Sequence, residues 1–491
     1  MVEARLGIDL GTSSAKCIAL DGAGRMLGAS QERYQIERPS HGWAEQDPEA
    51  WWRAVTGTIR ATVAALPAGS RIVSLGVSGQ MHGLVLVDHA LRALRPAIIW
   101  SDARSSDEVR QWHAKLGADA VEAMTGFPIA TGMAGVSLSW VGRHEPAALE
   151  RTAHALQPKD YVRLRLTGVA AVEPTDAGAS LLFDLDRMVP DARLLETAGL
   201  APEQLPGLVP TLEQAGELGA AAAREIGLRQ GIPVAAGGGD QAMAALALGL
   251  DTPDRAAIAL SSGGTVLVPV GPDSSAVTGY HRLAAPEPDR TLAMGVVLAA
   301  GLATDWLAAM TGTAPHALLE AAAQVRGDEH LVALPHLGGT RTPRANSSAQ
   351  AAFAGLGFEH RPADLARALV EAVAIDLGAS LLAIRGPAPA STSVVLSGGG
   401  ARFAVWRQAV ANATGMPVAL SADLEHSAIG AALAGGIAAG APVDFDARSR
   451  VDGTVDPQPE GVARLAALAE RRAALAAAAS LPVQQEGNPH G

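Results

Sequence analysis

Cysteine is nearly absent from this chain, which contains only Cys17. One thiol cannot form an intramolecular disulfide, and its isolation indicates a reducing compartment. Dense runs of Lys and Arg are also missing, and the formal net charge is −12, which argues against a nucleic-acid-binding surface. The pattern G-x-x-x-x-G-K-[ST] does not occur either, which excludes a P-loop nucleotide site.

Apolar runs of membrane length are lacking as well. The runs near residues 292–303 and 428–443 contain Gly and are shorter than the roughly 20 residues that span a bilayer. Residues 1–5 lead directly into a strand pattern and lack the layout of a signal peptide. We therefore expect a soluble cytoplasmic protein that does not bind membranes.

A short apolar strand that ends in a carboxylate and a tight turn is the first informative feature. Residues 6–10 are apolar except for Asp9, and Gly11, Thr12 and Ser13 follow before a second apolar strand. Small turn residues let backbone N–H groups approach a phosphate, while the carboxylate can attend its metal ion. An ordinary hairpin, in which Asp and Ser satisfy the turn, explains the same pattern without a ligand.

A second copy of this pattern favours the nucleotide interpretation. Residues 257–260 form another apolar strand, and Gly263, Gly264 and Thr265 come two serines later, before the next apolar strand. Such internal repetition indicates two similar domains. With one hairpin at the start of each half, the two domains are expected to face a single nucleotide.

The domain organisation follows from this repeat and from length. A chain of 491 residues is too long for one core and suits two large domains. Residues 251–255 contain Asp, Thr and Pro and are typical of a linker. We predict an N-terminal domain at 1–250, a C-terminal domain at 251–481, and a disordered tail at 482–491.

Several other segments are predicted to form the helices and loops that cover the sheets. Residues 173–180 are polar and are predicted to form a loop. The Ala-rich segment 465–479, which precedes the predicted tail, predicts a final helix. Further helices are predicted at 137–143, 158–168, 191–199 and 220–227.

The strand at residues 72–77 leads into Gln80, Met81 and His82, which have glycines on both sides. Gln and His side chains can exchange hydrogen bonds with hydroxyl groups, and Met offers an apolar wall. This mixture suits a sugar or polyol, which has hydroxyl edges and C–H faces. A turn that carries a satisfied surface histidine is an equally good interpretation of this segment alone.

A further strand is predicted at residues 95–100, and it ends at Trp100. Asp102 follows the indole, and together they can complete the same pocket. Alternatively, Asp102 or Ser105 simply opens the helix that begins directly afterwards.

Three consecutive glycines, residues 237–239, separate a strand from Asp240 and Gln241. Glycines permit close approach of a substrate to the backbone, and Asp240 stands where the chain turns into a helix. Asp is also a common N-cap residue, so capping is the alternative. The glycine triplet favours a functional site, because a cap does not require it.

In the second half, the strand at residues 394–396 leads into a turn that contains Gly399 and Gly400. A strand, a glycine-rich turn and a helix can together hold the adenosine end of a nucleotide. Close packing of the helix on the strand is the alternative explanation for these glycines.

Together these segments resemble the FGGY carbohydrate kinases over nearly the whole chain. Residues 80–83, Gln-Met-His-Gly, are the most specific part, because they are similar to the sugar motif of the members that act on xylulose. The other segments that carry the resemblance are 9–13, 42–48, 158–161, 238–241, 335–337, 341–343 and 397–401.

The resemblance implies an α/β fold with two actin/hexokinase-like (ribonuclease H-like) ATPase domains and an interdomain cleft. It implies phosphoryl transfer from ATP to D-xylulose with Mg²⁺, and a homodimer is a further expectation. Asp240 would accept the proton of the sugar hydroxyl, and Asp9 would bind the Mg²⁺. By the same resemblance the sugar would contact Met81, His82, Gln80, Trp100, Asp102 and Gln241, and ATP would contact Gly11, Thr12, Ser13, Gly263, Gly264, Thr265, Gly399 and Gly400.

Two other functions are compatible with these motifs. A kinase of the same fold can act on another ketose or polyol, such as ribulose or glycerol, although the Met81–His82 pair favours xylulose. A regulator or an actin-like assembly protein would bind ATP without transferring its phosphate. We expect a regulator to carry a basic helix-turn-helix module, for which the chain has no spare segment, and a filament former would not need Asp240.

Overall fold

The computed structural model describes residues 2–271, 278–386, 393–446 and 450–479. The tail predicted at 482–491 lies outside the described residues. Among the residues described, no helix is both long enough and apolar enough to cross a membrane.

The first half is built around a mixed sheet with a helix-rich cover. Its first helix begins directly after Asp47, whose side chain caps it by accepting the N–H of Glu49 at 2.9 Å. The strands are β1 (Glu3–Leu10), β2 (Ser14–Leu20), β3 (Met26–Arg33), β4 (Glu45–Gln46), β5 (Arg71–Gly79), β6 (Val85–Val87), β7 (Ala97–Ile98), β8 (His154–Leu156), β9 (Phe183–Asp184), β10 (Val189–Pro190), β11 (Gln214–Glu217), β12 (Pro233–Ala235) and β13 (Gly238–Gly239). The helices are α1 (Pro48–Ala64), α2 (Ser106–Leu116), α3 (Ala118–Thr125), α4 (Ala134–His144), α5 (Pro146–Glu150), α6 (Pro158–Thr167), α7 (Pro174–Ala177), α8 (Ala192–Ala198), α9 (Ala220–Ile226) and α10 (Asp240–Ala247).

The second half repeats this plan. Its longest helix opens at Pro362, because Pro suits a first helical turn. The strands are β14 (Arg255–Leu260), β15 (Gly264–Val270), β16 (His281–Ala284), β17 (Thr291–Val297), β18 (Val332–Leu334), β19 (Ala352–Ala354), β20 (Ser393–Ser397), β21 (Val418–Ser421) and β22 (Val451–Val455). The helices are α11 (Gly301–Thr311), α12 (Pro315–Gln324), α13 (Pro362–Arg385), α14 (Ala404–Thr414), α15 (His426–Ala438) and α16 (Pro459–Ala479).

The two large sheets have equivalent topologies. In the first, the order is β11-β12-β5-β1-β2-β3, with β13 also paired to β5. In the second, the order is β16-β17-β15-β14-β20-β21-β22. In both sheets the first strand forms an antiparallel hairpin with the second strand and pairs in parallel with a later strand. The internal repeat predicted from the two hairpins is therefore confirmed.

Helix α15 of the second half packs directly on the first sheet. A Cβ on Gly7 would overlap the carbonyl oxygen of Ala428, and one on Gly76 would overlap that of Ala431. A Cβ on Gly430 would likewise overlap the carbonyl oxygen of Met243. Glycine at these contacts lets backbones touch, so α15 joins the two halves beside the end of β1.

The segment 173–180 is not the polar loop that the sequence predicts. It forms α7 and a following 3₁₀ turn at Gly178–Ser180, and every residue except Pro174 is buried. The carboxylate of Glu173 caps α7 by accepting the N–H groups of Thr175 and Asp176. An acidic residue directly before a first-turn proline was the sequence signal for this helix.

Three other boundaries differ from the prediction. The strand expected at 95–100 is only β7, a two-residue strand paired with β4. Helix α10 begins at Asp240, earlier than residue 242, and α16 begins at Pro459, earlier than residue 465. A first-turn proline and an acidic residue explain the early start of α16.

Candidate active site

The strand register places Asp9 near the glycine-rich segment that precedes Asp240. Asp9 of β1 lies opposite Ser78 of β5, and Ser78 lies opposite Gly238 of β13. The next row joins Leu10, Gly79 and Gly239 in the same way. Parallel strands end at the same edge of a sheet, so the residues that follow β5 and β13 project beside Asp9.

Asp9 is a half-buried carboxylate with a free coordination position. Its Oδ1 is buried and makes no hydrogen bond among the described residues. Burial raises the pKa of Asp9 to about 6, and the opposite charge of Lys16 limits this rise. Lys16 lies across from Asp9 in the β1–β2 register and pairs with Glu425 at 2.5 Å. Asp9 can therefore take up a cation without breaking a hydrogen bond of its Oδ1.

Asp240 is the first residue of α10, and Gly239 is the N-cap. The capping alternative for Asp240 is therefore wrong, and its half-buried side chain is not used as an N-cap. Burial raises the pKa of Asp240 to about 7, and the negative charge of Asp9 adds to this rise. A hydrogen bond from the N–H of Gln241 acts in the opposite direction and lowers the pKa. A carboxylate with this pKa exists in both protonation states near neutrality, which suits proton transfer.

Met81 lies against the residue that precedes Asp240, and His82 follows Met81 in the chain. Met81 is buried, and a Cβ on Gly239 would lie 2.7 Å from its Cγ, so the thioether side chain covers the N-cap of α10. His82 has a φ of 71°, and its backbone N–H donates to Oε1 of Gln157 at 3.0 Å. This left-handed backbone turns the imidazole out of the strand direction.

The imidazole of His82 is held in one tautomer. Its Nδ1 lies 2.9 Å from the carbonyl oxygen of Ala179, and because a carbonyl only accepts, Nδ1 carries the hydrogen. Burial lowers the pKa of His82 to about 4. The ring is therefore neutral at physiological pH, and Nε2 is left as a hydrogen-bond acceptor.

Gln80 and Trp100 tie the candidate sugar segment to the first hairpin. The amide of Gln80 donates to Oε1 of Gln46 at 2.9 Å, and Gln46 donates to the carbonyl oxygen of Thr12 at 2.8 Å. Trp100 is 50% exposed, and its indole N–H donates to Oγ1 of Thr12 at 2.9 Å. Trp100 thus offers an accessible aromatic face beside the hairpin, whereas the buried Gln80 mainly supports it.

Asp102 is placed differently from the other residues of this group. Its side chain is fully buried, pairs with Arg104 at 2.8 Å, and accepts the N–H of Ala44 at 2.6 Å. The guanidinium of Arg104 in turn stacks 3.8 Å above the ring of Trp43. This arrangement favours a structural role, so we leave Asp102 out of the sugar contacts proposed below. Ser105, not Asp102, occupies the N-cap of α2, and its side chain makes no capping bond.

The two hairpins form tight turns of small residues. In the first, the N–H of Gly11 donates to the carbonyl oxygen of Ser14 at 3.0 Å, and Tyr34 donates to the carbonyl oxygen of Gly11. In the second, the N–H of Ser261 donates to the carbonyl oxygen of Gly263 at 2.9 Å. Gly264 and Thr265 begin the returning strand β15.

The turn that contains Gly399 and Gly400 lies over the end of β14. Gly398 has a φ of 85°, and a Cβ on Gly400 would lie 2.7 Å from the Cβ of Leu260. The glycine-rich turn is therefore adjacent to the second hairpin, which begins after Leu260. Gly399 is exposed, and a Cβ there would meet nothing within 4 Å. Close packing accounts for Gly400 but not for Gly399.

The segment from Glu425 to Ser427 connects this half to the carboxylates. Glu425 pairs with Lys16 beside Asp9, and Ser427 donates to the backbone carbonyl oxygen of Asp240 at 3.1 Å. Both contacts lie where α15 begins. The structure thus brings Asp9, Asp240 and Met81 together at the first hairpin, and it holds the start of α15 against them. His82 follows Met81 in the chain, and its ring bonds Ala179.

The sequence interpretation missed a buried ionic cluster behind Asp240. Lys159, Asp160, Glu173 and Asp176 have fully buried side chains, and Lys159 contacts all three carboxylates at 2.6 to 3.3 Å. Burial raises the pKa of Asp176 well above its usual range. Only the helix signal at Glu173 and Pro174 could have pointed to this cluster, because burial of the charges is a tertiary property.

Comparisons with known proteins identify the family of this chain. Residues 4–247 match the N-terminal domain of the FGGY family of carbohydrate kinases, and residues 257–439 match its C-terminal domain. The chain is 36% identical to the xylulose kinase of Escherichia coli strain K12 over 413 residues, 84% of each chain. It is 31% identical to that of Bacillus subtilis strain 168 over 435 residues, 87% of each chain.

Solved structures give the same fold. A xyloylose kinase from Brucella ovis has a TM-score of 0.89 at 34% identity, covering 97% of this chain and 99% of that one. The glycerol kinase of Plasmodium falciparum with ADP has a TM-score of 0.90 at 19% identity, covering 98% and 99%, which shows the fold alone. The predicted two-domain actin/hexokinase-like fold is confirmed, while the exact division at residues 250 and 251 stays a prediction.

The family matches together span most of the chain, and the relatives cover it at more than 30% identity. The chain therefore belongs to the FGGY family of carbohydrate kinases, and it is an enzyme that phosphorylates a sugar with ATP.

Proposed function

We propose that this enzyme transfers the γ-phosphoryl group of ATP to D-xylulose and releases D-xylulose 5-phosphate and ADP. The observation that carries the proposal is the placement of Asp240, with a pKa of about 7, beside Met81 and under the influence of Asp9. The choice of sugar rests on relatives named xylulose kinase.

Asp240 acts as the proton acceptor for the terminal hydroxyl of the sugar. The hydroxyl oxygen forms the new bond to the γ-phosphorus, the bond from phosphorus to the bridging oxygen of ADP breaks, and the hydroxyl proton passes to Asp240. In a loose transition state the sugar hydroxyl keeps most of its proton until late in the transfer, so a carboxylate of moderate basicity suffices. Orientation of the hydroxyl for in-line attack is its larger contribution.

Met81, His82, Trp100 and Gln241 line the sugar site. The neutral His82 accepts a hydrogen bond from a sugar hydroxyl at Nε2, since its Nδ1 is committed to Ala179. Met81 and the exposed indole face of Trp100 contact C–H faces. Gln241 adjoins Asp240 and can bond a neighbouring hydroxyl. Gln80 keeps a supporting role, because its amide N–H is bonded to Gln46.

The nucleotide lies between the two hairpins. Backbone N–H groups of Thr12 and Ser13 on one side and of Gly263, Gly264 and Thr265 on the other hold its phosphates. The N–H of Gly11 closes the first turn by donating to Ser14, so Gly11 contributes the shape of the turn and not a donor. The open face of Gly399, with Gly400 behind it, receives the adenosine.

Asp9 fits a magnesium ion bound to this nucleotide. Its buried Oδ1 lacks a hydrogen bond, and no cluster of three or more His, Cys, Asp or Glu side chains in the described parts of the chain could form a complete metal cage. Mg²⁺ typically uses one or two carboxylates together with substrate phosphates and water. When bound, it neutralises charge on the phosphates.

We propose further that the cleft between residues 1–250 and 251–481 closes during turnover. Closure around the phosphates excludes water and limits hydrolysis of ATP. The net charge of −12 and the single thiol support a cytoplasmic enzyme whose partners are its two substrates and not nucleic acid. A homodimer is the proposed assembly, and light scattering coupled to gel filtration measures it.

A panel of acceptors tests the choice of sugar. Purified enzyme, Mg²⁺ and ATP are mixed with D-xylulose, D-ribulose or glycerol, and ADP release is followed by a coupled assay. We expect the highest kcat/KM with D-xylulose. A higher value with ribulose or glycerol would assign the enzyme to that acceptor, and ATP binding without transfer to any sugar would favour a regulator.

A further inference from the structure

Thr175 connects the buried side of the site to the residue before Asp240. Its Oγ1 accepts the backbone N–H of Gly239 at 2.9 Å and donates to Oε1 of Glu173 at 2.9 Å. A hydroxyl has one hydrogen, and because the carboxylate only accepts, that hydrogen points to Glu173. The lone pairs of Thr175 are then left for the N–H of Gly239.

Glu173 is fixed by five donors and therefore fixes Thr175. Its Oε1 accepts from Oγ1 of Thr175, from the N–H of Asp176 at 2.9 Å and from Lys159 at 3.1 Å. Its Oε2 accepts from the N–H of Thr175 and from Oγ1 of Thr211, both at 2.8 Å. The side chains of Lys159 and Glu173 are fully buried, so water cannot replace these bonds.

Gly239 is clamped from both sides. Thr175 holds its N–H, while Met81 lies so close that a Cβ on Gly239 would be 2.7 Å from the Cγ of Met81. Gly239 is the N-cap of α10, and the next residue is Asp240. The pairing of β13 with β5 and the bond from Ser427 to the carbonyl oxygen of Asp240 also hold this backbone, and Thr175 is the side chain that holds the N–H of the N-cap residue.

We propose that Thr175, oriented by the buried pair of Glu173 and Lys159, is a positioning residue for Asp240. This inference rests on the proposed role of Asp240 in proton transfer. Thr175 touches neither sugar nor ATP and acts only through the N–H of Gly239. A misplacement of about 1 Å can reduce the rate by roughly 100-fold, so loss of the bond from Thr175 to Gly239 is expected to slow the chemical step.

Thr211 supplies the matched control. It is buried like Thr175, and its hydroxyl donates to the same carboxylate of Glu173, but its side chain does not bond Gly239. Steady-state kinetics are measured for Thr175→Val, Thr175→Ser and Thr211→Val, each with the best sugar of the panel. Thermal melts of the three variants report the cost to folding.

We expect kcat of Thr175→Val to fall 10- to 100-fold while the KM for ATP changes less than threefold. Thr175→Ser, which keeps the hydroxyl, should recover kcat to within threefold, and Thr211→Val should retain kcat although its melting temperature falls by a similar amount. Equal losses in Thr175→Val and Thr211→Val, or an unchanged kcat in folded Thr175→Val, would overturn the proposal.

Folding failure is also decisive. If Thr175→Val does not fold, Thr175→Ala takes its place, and if neither variant folds the hydroxyl serves folding and not positioning. The outcome is separable from that of the proposed function. If Asp240→Asn still turns over, Asp240 is not the base, whatever the Thr175 variants show. If Thr175→Val keeps its kcat, only the positioning role of Thr175 fails, and Asp240 can still be the base.

Discussion

The carboxylate of Asp9 acts on Asp240 across the edge of the first sheet. Burial and the charge of Asp9 together raise the pKa of Asp240 to about 7, while Asp9 itself has a pKa of about 6. Strands β5 and β13 separate the two residues along the sheet and bring them to one edge. Two half-buried carboxylates with different pKa values can serve different roles, one for a cation and one for a proton.

Asp240→Asn is expected to lower kcat by about 10²- to 10⁴-fold, because Asn keeps the size of the side chain but cannot accept the proton. ATP affinity, measured by isothermal titration calorimetry, should stay within a few-fold. Asp191→Asn is the control, since Asp191 caps α8 away from the site. Turnover close to that of the parent enzyme would remove Asp240 from the base role.

The pH dependence of kcat/KM should report the pKa of Asp240. The base must be ionised, so kcat/KM for the sugar is expected to fall as pH drops below about 7 and to level off above it. His82, whose pKa is lowered to about 4, does not titrate in this range. Asp9, with a pKa of about 6, steepens the fall at the acidic end of the profile. A flat profile between pH 5.5 and 8 would contradict the assignment.

The free energy of unfolding should also depend on pH through the pKa of Asp240, even without substrate. The pKa of Asp240 is raised from 3.8 to about 7 in the folded protein, so between these values the native state binds more protons than the unfolded state. The stabilisation from this proton is complete below pH 3.8 and is lost as pH rises through about 7.

Urea titrations of the parent enzyme and of Asp240→Asn measure this effect. The advantage of the parent over the variant should shrink as pH increases from 5 to 8. A pH-independent difference between the two would show that Asp240 has an ordinary pKa.

Asp9→Asn is expected to raise the Mg²⁺ concentration needed for half-maximal rate by roughly tenfold at fixed ATP, because one charged oxygen ligand is lost. Asp21→Asn is the control, since Asp21 follows the far end of β2 and binds Arg25. An unchanged Mg²⁺ requirement in Asp9→Asn would place the metal elsewhere.

Gly399→Leu should raise the KM for ATP at least tenfold and leave the KM for the sugar within twofold. Residue 399 is exposed and a Cβ there meets nothing within 4 Å, so a side chain can leave the backbone toward solvent and is expected to obstruct a bound nucleotide. Gly207→Leu is the control, because a Cβ at residue 207 also meets nothing within 4 Å. The melting temperatures of both variants should match that of the parent enzyme. An unaltered KM for ATP would remove Gly399 from the adenosine site.

Much of the site was predictable because its residues sit at strand ends within small-residue turns. Gly11 to Ser13 and Gly263 to Thr265 form hairpins whose strands are apolar and close in sequence, so local pattern sufficed. Asp240 stood out because three glycines precede it. The nucleotide and sugar roles of these residues remain proposals, and the predictions above test them.

The buried positions were less predictable. Residues 173–180 were interpreted as a polar loop, yet Glu173, Thr175 and Asp176 are fully buried around Lys159. Polar composition normally indicates solvent exposure, and it fails here because ion pairs and hydrogen bonds compensate the burial. Asp102 is a similar case, because it was predicted as a sugar contact but is buried in an ion pair with Arg104.

The sequence by itself determined the repeated hairpins, several of the strands and helices, and the residues that can carry phosphate and sugar chemistry, since these depend on local pattern. Only the tertiary structure decided which carboxylates meet. Asp9 and Asp240 are far apart in the chain, and pairing of β1, β5 and β13 brings them together. Their raised pKa values and the support from Thr175 exist only after burial, because desolvation is a property of the folded core.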